Sequence, residues 1–273
     1  MQNAGGAWPV NGVQSVERAL SIVKLLAEGG NSGARLTDIA ESVGLTMSTA
    51  HRILQALIQA GAVDQAADSG LYFLGYNMLC WGAAAGNRIG FVELAEPSLE
   101  LLAERTGDTV FLSVRDRYEA VCIASVEGAF PIRTLTLKVG DRRPLGVGAG
   151  SLAILAALDE EDQRHAIKAG AASRAGFPGF DETTLWNLIE DTRRAGCALN
   201  ESRVVKGMSA IALPISDRRG VIGAISVAAI SERMRPPRRQ NILTWLEAEA
   251  KKIEAKIRPI DRNVNLARRS IRT

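Results

Sequence analysis

The sequence predicts an α+β protein in two parts, a small N-terminal helical unit with a hairpin and a larger antiparallel sheet flanked by helices. Two short helical patterns meet at Gly44, and two short strand patterns follow over residues 62–74. Beyond residue 90, strand patterns occur in pairs joined by short turns, which favours antiparallel pairing. A length of 273 residues suits two such domains.

Composition and cysteine usage predict a cytoplasmic protein. Hydrophobic residues make up 47% of the chain and charged residues 23%, as in ordinary globular proteins. The N-terminus lacks the pattern of a signal peptide, and no apolar run is long enough to cross a membrane. Cys80, Cys122 and Cys197 stand far apart without CxxC spacing, which argues against a disulfide framework and a structural zinc. We expect three reduced, partly buried thiols.

Residues 1–12 are small, polar and contain glycine and proline, so we expect a disordered leader. A first helix should begin at the N-cap Ser15 and end near Glu28. The unit that this helix opens is predicted to span residues 13–76. Apolar residues at helical spacing predict its buried face, which consists of Val16, Ala19, Leu20, Val23 and Leu26.

Two further helices follow, each with a start signal and a stop signal. Thr37 is a suitable N-cap for helix 2, and Gly44 ends that helix as a left-handed residue would. Thr46 caps helix 3, which Gly61 stops. The apolar stripes that we expect to face the core are Ile39, Ala40 and Val43 on helix 2, and Ala50, Ile53, Leu54, Leu57 and Ile58 on helix 3.

The opposite face of helix 3 is polar and carries no carboxylate, whereas Asp38 and Glu41 lie on helix 2. Hydroxyl, imidazole and guanidinium groups on its first two turns suit hydrogen bonds to phosphates and base edges. Two such helices followed by a hairpin are the layout of a winged helix-turn-helix, which places one helix in the major groove of DNA. The predicted DNA-binding residues are Arg35, Thr46, Ser48, Thr49, His51 and Arg52.

The hairpin, with strands over residues 62–64 and 71–74 around a turn at 67–70, would be the wing. Asp64 and Asp68 fit a phosphate clamp poorly. We therefore expect the wing to have a structural role.

Charge is distributed unevenly along the chain. Residues 251–273 carry a local charge of +6, so the remainder sums to −3 although the whole chain is +3. Residues 1–90 are nearly neutral, with five basic and six acidic side chains. The basic tail over residues 259–273, which we expect to be disordered, has two interpretations. It is either a solvated chain end or a source of non-specific affinity for DNA phosphates.

The second unit is predicted to span residues 91–258, after a connecting helix over residues 77–90. It should open with a helix over residues 91–105 that Pro97 interrupts. A glycine-rich loop over residues 140–150 divides the strands into two sets. The predicted strands are 109–114, 120–127, 132–139, 197–201, 209–216 and 221–230, and the predicted helices are 151–157, 160–169, 181–195 and 237–258.

Two blocks of sequence resemble the IclR family of bacterial transcription regulators. The first contains SVERALSIVKLLAEG, LTDIAESVGLTMSTAHRILQALIQAG and the wing end LYFLG; the second contains VGDRRPLGVGAGSLAILAAL and GCALNESRVVKGMSAIALPISDRRGVIGAISVAAI. The resemblance covers residues 14–257 and implies a winged helix-turn-helix joined by a helix to a GAF-like ligand-binding domain, usually in dimers or tetramers. The chain departs from the family at Ser151, where a basic residue is common, and at Cys197, where tyrosine is frequent.

Gly146, Gly148 and Gly150 lead directly into a predicted helix start. They could let the backbone approach an anion, such as a small carboxylate, which the N–H groups of a first helical turn attract. They could equally serve only to turn the chain. A dinucleotide site is disfavoured because the spacing is GxGxG rather than GxGxxG and no βαβ unit follows.

The resemblance implies an effector pocket built from this loop and the C-terminal strands. Asn200 and Ser226 could hydrogen-bond a carboxylate or hydroxyl group, and small side chains at 210 and 228 leave room for an aromatic acid. The same residues could instead be ordinary members of a packed sheet. The predicted effector-binding residues are Gly148, Ala149, Gly150, Asn200, Met208, Ala210, Ser226 and Ala228.

The sequence predicts neither an enzyme nor a metalloprotein. His51 belongs to helix 3 and His165 lies in a charged helical segment, so neither is placed to form a nucleophile pair or a metal site with a cysteine. We expect no catalytic residues, no metal ligands and no cofactor.

These features predict a transcription regulator that binds double-stranded, palindromic operator DNA as a homodimer or homotetramer and responds to a small organic acid. Repression and activation are both compatible with the sequence, because the position of the operator lies outside the chain. Two alternatives stay open: a constitutive regulator with a vestigial pocket, and a small-molecule sensor that acts through protein partners.

Overall fold

The computed structural model describes residues 13–86, 90–132 and 137–269, with residues 83, 85, 86 and 258–269 described by their backbone only. The chain forms two compact units divided after residue 88. Within the described part of the chain, no helix is both long enough and apolar enough to cross a membrane.

The N-terminal unit is a helix-turn-helix with a small antiparallel wing. It comprises α1 (Gln14–Gly29), α2 (Leu36–Val43), α3 (Met47–Gln59), β1 (Val63–Gln65), β2 (Tyr72–Leu74) and α4 (Tyr76–Gly86). In the wing, Val63 pairs with Leu74 and Gln65 with Tyr72. The first three helices and the wing share one core, which contains Ile22, Leu26, Ile39, Leu54, Val63 and Tyr72.

Capping of α2 and α3 follows the sequence signals in part. Gly44 ends α2 in the left-handed region with φ 65°, and the Thr46 side chain accepts a hydrogen bond from the Thr49 N–H of α3. The expected caps Ser15 and Thr37 are wrong, because α1 and α2 each begin before them and have no side-chain cap. Both helices are held by packing of their apolar faces, so a cap is not required.

The buried face of α1 also differs from the prediction. Ile22 and Leu26 are buried, whereas Val16 is 54% exposed and Leu20 is 49% exposed. Only the second half of the helix therefore contributes fully buried residues to the core. The apolar residues of the first half lie on the surface of this unit.

The C-terminal unit is built on one antiparallel sheet. In chain order it comprises α5 (Phe91–Thr106), β3 (Thr109–Asp116), β4 (Glu119–Val126), β5 (Arg142–Pro144), α6 (Ala149–Ala156), α7 (Glu160–Ala169), α8 (Ala171–Arg174), α9 (Glu182–Ala195), β6 (Ala198–Glu201), β7 (Met208–Asp217), β8 (Gly220–Ile230) and α10 (Arg238–Arg269). The strand order is β5-β4-β3-β8-β7-β6. This architecture confirms the α+β class.

Successive side chains of the central strands point to opposite faces of the sheet, and both faces are covered by helices. On one face, Leu112, Ile225 and Val227 pack in a core with residues of α5 and α10. On the other face, Ala212 and Ala224 pack in a second core with α6 and α9. The face that meets α6 holds the candidate ligand site.

Two local expectations for this unit are wrong. Pro97 lies inside a continuous α5, where burial of the helix face outweighs the hydrogen bond lost at proline. A strand is expected over residues 132–139, but the described residues at its two ends are not in a strand, and residues 138–141 form a turn. Residues 133–136 lie outside the described part. The strand that pairs with the outer side of β4 is the short β5.

The C-terminal end also differs from expectation. The helix α10 continues to Arg269 and includes most of the segment expected to be a disordered tail. Its buried residues recur at helical spacing up to Ile257. The leader over residues 1–12 and the last residues, 270–273, lie outside the described residues.

Candidate functional site

The start of α3 presents a polar surface in the N-terminal unit. Thr46, Ser48, His51 and Arg52 are exposed, and Thr49 is half-buried. The Thr46 hydroxyl donates to Thr49 Oγ1 over 2.9 Å, which fixes the two side chains at the first turn. The remaining predicted residue, Arg35, is exposed at the N-cap position of α2.

The electrostatics of this surface favour an anion. The first turn of α3 carries no acidic residue, and the N-terminus of a helix attracts negative charge. Hydroxyl groups, an imidazole and a guanidinium can donate to phosphate oxygens and to base edges. The surface is therefore chemically suited to contact DNA.

The wing carboxylates have local roles or face solvent. Asp68 Oδ1 accepts a 2.8 Å hydrogen bond from the N–H of Ser69, and Gln65 Nε2 donates to the Gly70 carbonyl over 3.0 Å. Asp64 lies exposed in β1. These contacts stabilise the turn of the hairpin and agree with a structural role for the wing.

A cavity in the C-terminal unit lies between the loop that precedes α6 and the strands of the sheet. Its empty volume of about 610 Å³ includes the open mouth, so this value is an upper limit for a ligand. All eight predicted effector-binding residues line it. The described lining is Phe111, Ser113, Ala120, Leu137, Arg143, Val147, Gly148, Ala149, Gly150, Ser151, Asn200, Val204, Val205, Met208, Ser209, Ala210, Ser226 and Ala228.

The glycines of the loop have different roles. Gly146 (φ 97°) and Gly148 (φ 89°) adopt a backbone conformation that other residues rarely reach, whereas Gly150 lies within α6. Gly146 packs so closely that an added Cβ would lie 2.5 Å from Leu185 Cδ2. The loop therefore turns the chain at Gly146, and the start of α6 lines the cavity.

We expect Gly146→Ala to destabilise the protein by about 2–5 kcal/mol, because left-handed strain and overpacking against Leu185 add together. For a unit of this size the loss corresponds to a Tm decrease of roughly 5–15 °C in a thermal melt. Gly140→Ala is the matched control, since Gly140 has φ 95° and nothing within 4 Å of the added Cβ. Equal losses for the two variants would contradict the packing role of Gly146.

Some polar groups of the cavity already make hydrogen bonds within the protein, and others do not. The Ser151 hydroxyl donates to the Val147 carbonyl over 2.5 Å, so it holds the loop. The Oδ1 atom of Asn200 is buried and has no hydrogen-bond partner. A buried amide oxygen without a partner is costly, and a ligand that donates to it would remove that cost.

Sequence reasoning missed one charged residue and several strand residues of the cavity. Arg143 lies in β5, a strand that was not predicted, and its guanidinium lines the cavity. Phe111 and Ser113 alternate with the core residues Val110 and Leu112 on β3. That alternation could have assigned them to the cavity face once the orientation of the strand was known.

The cysteines near the sheet are buried and protonated at neutral pH. Burial, followed by the nearby Asp141 carboxylate, raises the pKa of Cys122 to about 11. Burial also raises the pKa of Cys197. Cys80, in contrast, is exposed on α4, contrary to the expectation of partial burial. No cluster of metal-binding side chains occurs among the described residues.

Comparison with known proteins identifies both units. The model of the IclR helix-turn-helix domain matches residues 15–67, and the model described as bacterial transcriptional regulator IclR C-terminal matches residues 83–255. The chain is 30% identical over 225 residues to the Escherichia coli (strain K12) HTH-type transcriptional regulator XynR, covering 81% of this chain and 88% of XynR. It is also 30% identical to the transcriptional repressor AllR of the same organism, covering 84% of this chain and 86% of AllR.

Solved structures share the fold. A transcriptional regulator of this type from Alicyclobacillus acidocaldarius aligns with a TM-score of 0.76 at 26% identity, covering 89% of this chain and 98% of that one. An IclR homologue from Microbacterium hydrocarbonoxydans, solved in complex with 4-hydroxybenzoate, aligns with a TM-score of 0.73 at 22% identity, covering 88% of this chain and 98% of that one.

Proposed function

Because this chain belongs to the IclR family of bacterial transcriptional regulators, we propose that a small organic acid bound in the cavity modulates its binding to operator DNA. Members of this family are DNA-binding regulators and not enzymes, and double-stranded DNA is the macromolecular partner. The observation that carries the effector proposal is the cavity itself. It combines an arginine, a helix start and an amide oxygen without a hydrogen-bond partner with an apolar wall.

The DNA contact is assigned to α3. Thr46 lies exposed at its N-cap, and Ser48, His51 and Arg52 lie exposed on its first two turns, with Thr49 beside them. In this arrangement the hydroxyl groups and the helix start position the protein on phosphates, while His51 and Arg52 reach base edges. Arg35, at the start of α2, adds a phosphate contact.

The effector is proposed to be an aromatic acid. Ala210 and Ala228 present only methyl groups to the cavity, and Phe111 and Met208 supply apolar contacts suited to a ring. The related regulator solved with 4-hydroxybenzoate supports this class of compound. Asn200 and Ser226 would then bond the polar substituents of the ligand.

The active form is proposed to be at least a homodimer, acting in the cytoplasm on a palindromic operator. In the N-terminal unit, Val13 at the N-cap of α1 and Val16 and Leu20 within the helix are exposed along one side, and α4 exposes Leu79 and Trp81. Exposed apolar stripes of this kind mark association surfaces. Pairing two copies would also double the number of base contacts, which a single short helix needs for useful specificity.

The proposal predicts that 4-hydroxybenzoate changes operator binding. DNA fragments selected from the genome with the full chain serve as the operator, and fluorescence anisotropy measures affinity with and without the acid. A ligand at a hundred times its Kd should also stabilise the folded protein by about 2.7 kcal/mol, which thermal melting detects. Ala210→Leu, which fills the cavity, should abolish the response to the acid and leave DNA binding intact.

The outcomes separate the alternatives. DNA binding that no organic acid alters, together with no thermal stabilisation, would indicate a constitutive regulator. Stabilisation by the acid without binding to any genomic fragment would indicate a sensor that acts through protein partners.

A further inference from the structure

One corner of the cavity gathers donor groups around the start of α6. Arg143 Nη1 lies 3.2 Å from the position that a Cβ of Gly148 would occupy. Across the loop, Ser226 Oγ and Ser113 Oγ lie 3.7 Å and 3.8 Å from the corresponding position at Gly150. A guanidinium and two hydroxyls therefore surround the residues whose N–H groups open the helix.

The two hydroxyls make no hydrogen bonds to other described residues. Ser113 is 5% exposed and Ser226 is 7% exposed, and neither side chain makes a hydrogen bond within the described part of the chain. They come from β3 and β8, strands that are neighbours in the sheet. Both residues line the cavity, so their hydroxyls are open to a ligand that enters it.

Asn200 gives independent support for a polar ligand. It is 9% exposed, lines the cavity, and its Oδ1 has no hydrogen-bond partner. The strand register places it in a row with Ala210 and Ala228, one row beyond Ser226 on the same face. A ligand that reaches from the α6 corner to Asn200 would cross the two alanines, which offer an apolar surface.

Arg143 is the only charged residue among the described residues that line the cavity. Burial lowers its pKa, which means that the surrounding protein disfavours the cation relative to water. The Asp141 carboxylate opposes this effect, whereas the Cys122 thiol is protonated at neutral pH and supplies no negative charge. An anion bound in the cavity would likewise favour the charged form of the guanidinium.

We infer that Arg143 is the residue that makes the cavity selective for anions, with the carboxylate of the effector held between its guanidinium, the N-terminal turn of α6 and the hydroxyls of Ser113 and Ser226. This inference rests on the proposed function and deepens it. According to this inference, the effector must carry a negative charge because of a residue in β5, and not because of the helix start alone. A neutral isostere of the effector should then bind far less well than the acid.

The test compares acids with their primary amides, which have the same shape without the charge. Pyruvate, benzoate and 4-hydroxybenzoate, each paired with its amide, are titrated calorimetrically into the full-length protein. Since a hydrogen bond to a charged group contributes about 1.5–3 kcal/mol, Arg143→Met should weaken binding of the acid on the order of ten- to a hundredfold. The affinity for the amide should change little, so the ratio of acid to amide affinity should collapse.

Two further variants control for charge and folding. Arg143→Lys keeps the charge without the paired donors of guanidinium and should restore part of the acid-to-amide ratio. Arg142→Gln removes the neighbouring arginine, which bonds Asp116 and Glu119 outside the cavity, and should leave the ratio unchanged. Thermal melts of the unliganded variants report folding. If Arg143→Met does not fold, Arg143→Gln, which also removes the charge, takes its place, and an unaltered ratio in a folded Arg143→Gln overturns the inference.

The other results separate this inference from the proposed function. If the wild-type protein binds an acid and Arg143→Met binds it equally well, Arg143 is not the anchor, while the effector proposal stands. If acid and amide bind alike to the wild type, anion selectivity is refuted but a ligand site remains. If no compound binds, both the acid effector and the role of Arg143 are rejected, and operator binding is judged separately by anisotropy.

Discussion

Replacing Arg52 by alanine should lower operator affinity by at least about thirtyfold. Loss of a guanidinium contact to a base or phosphate costs about 1–3 kcal/mol, and a dimer loses two such contacts. Arg52 is exposed on the second turn of α3 and makes no hydrogen bond or ion pair within the described residues, so its removal should not affect folding. Fluorescence anisotropy on the selected operator, at fixed salt, measures the change.

Arg164→Ala is the matched control for this prediction. Arg164 is an exposed arginine of α7 in the C-terminal unit, paired with Glu160 one turn away. Its removal deletes the same charge without altering α3, and an exposed pair of this kind contributes little to stability. Unchanged affinity of Arg52→Ala, or an equal loss in Arg164→Ala, would show that α3 does not present this residue to DNA.

Elements with strong local signals could be predicted from the sequence. The polar start and apolar stripe of α3 followed from the cap Thr46 and the helical spacing of Ala50 and Leu54. The hairpin of β7 and β8 followed from two long apolar runs around a short polar turn. In each case, the residues that define the element are close together in the chain.

Elements that depend on distant partners could not be predicted. The three-residue strand β5 exists because β4 pairs with it, and no local pattern marks it. Likewise, α5 continues through Pro97 because its apolar side packs on the sheet. The buried side of α1 is predicted correctly at Leu26 but not at Val16 and Leu20, which have the periodicity of core residues and lie at the surface.

The same distinction applies to the candidate ligand site. Family resemblance supplied the loop and the residues of β6, β7 and β8, all of which line the cavity. It did not supply Arg143 or Ser113, because their relation to Gly148 and Gly150 exists only in the folded sheet. The charge of the site was therefore visible only from the structure.

Leu20→Asp should halve the mass of the oligomer and greatly weaken operator binding. Leu20 is 49% exposed and shares the side of α1 that carries Val13 and Val16, while Ile22 and Leu26 hold the helix to its own core. A carboxylate on this side would have to be desolvated when two copies meet, and it would face its equivalent across a two-fold axis. Folding should be little affected, since the side chain is not in the core.

Sedimentation velocity measures the mass of the species, and anisotropy measures the affinity for the operator. Because each separated copy has a single α3, it can make only half of the base contacts, so affinity should fall together with mass. Val139→Asp introduces the same charge at an apolar residue of the C-terminal unit that is 60% exposed, and should leave both measurements unchanged. A folded Leu20→Asp protein that keeps the wild-type mass would refute association through α1, whereas a halved mass with undiminished affinity would refute the dependence of DNA binding on the paired form.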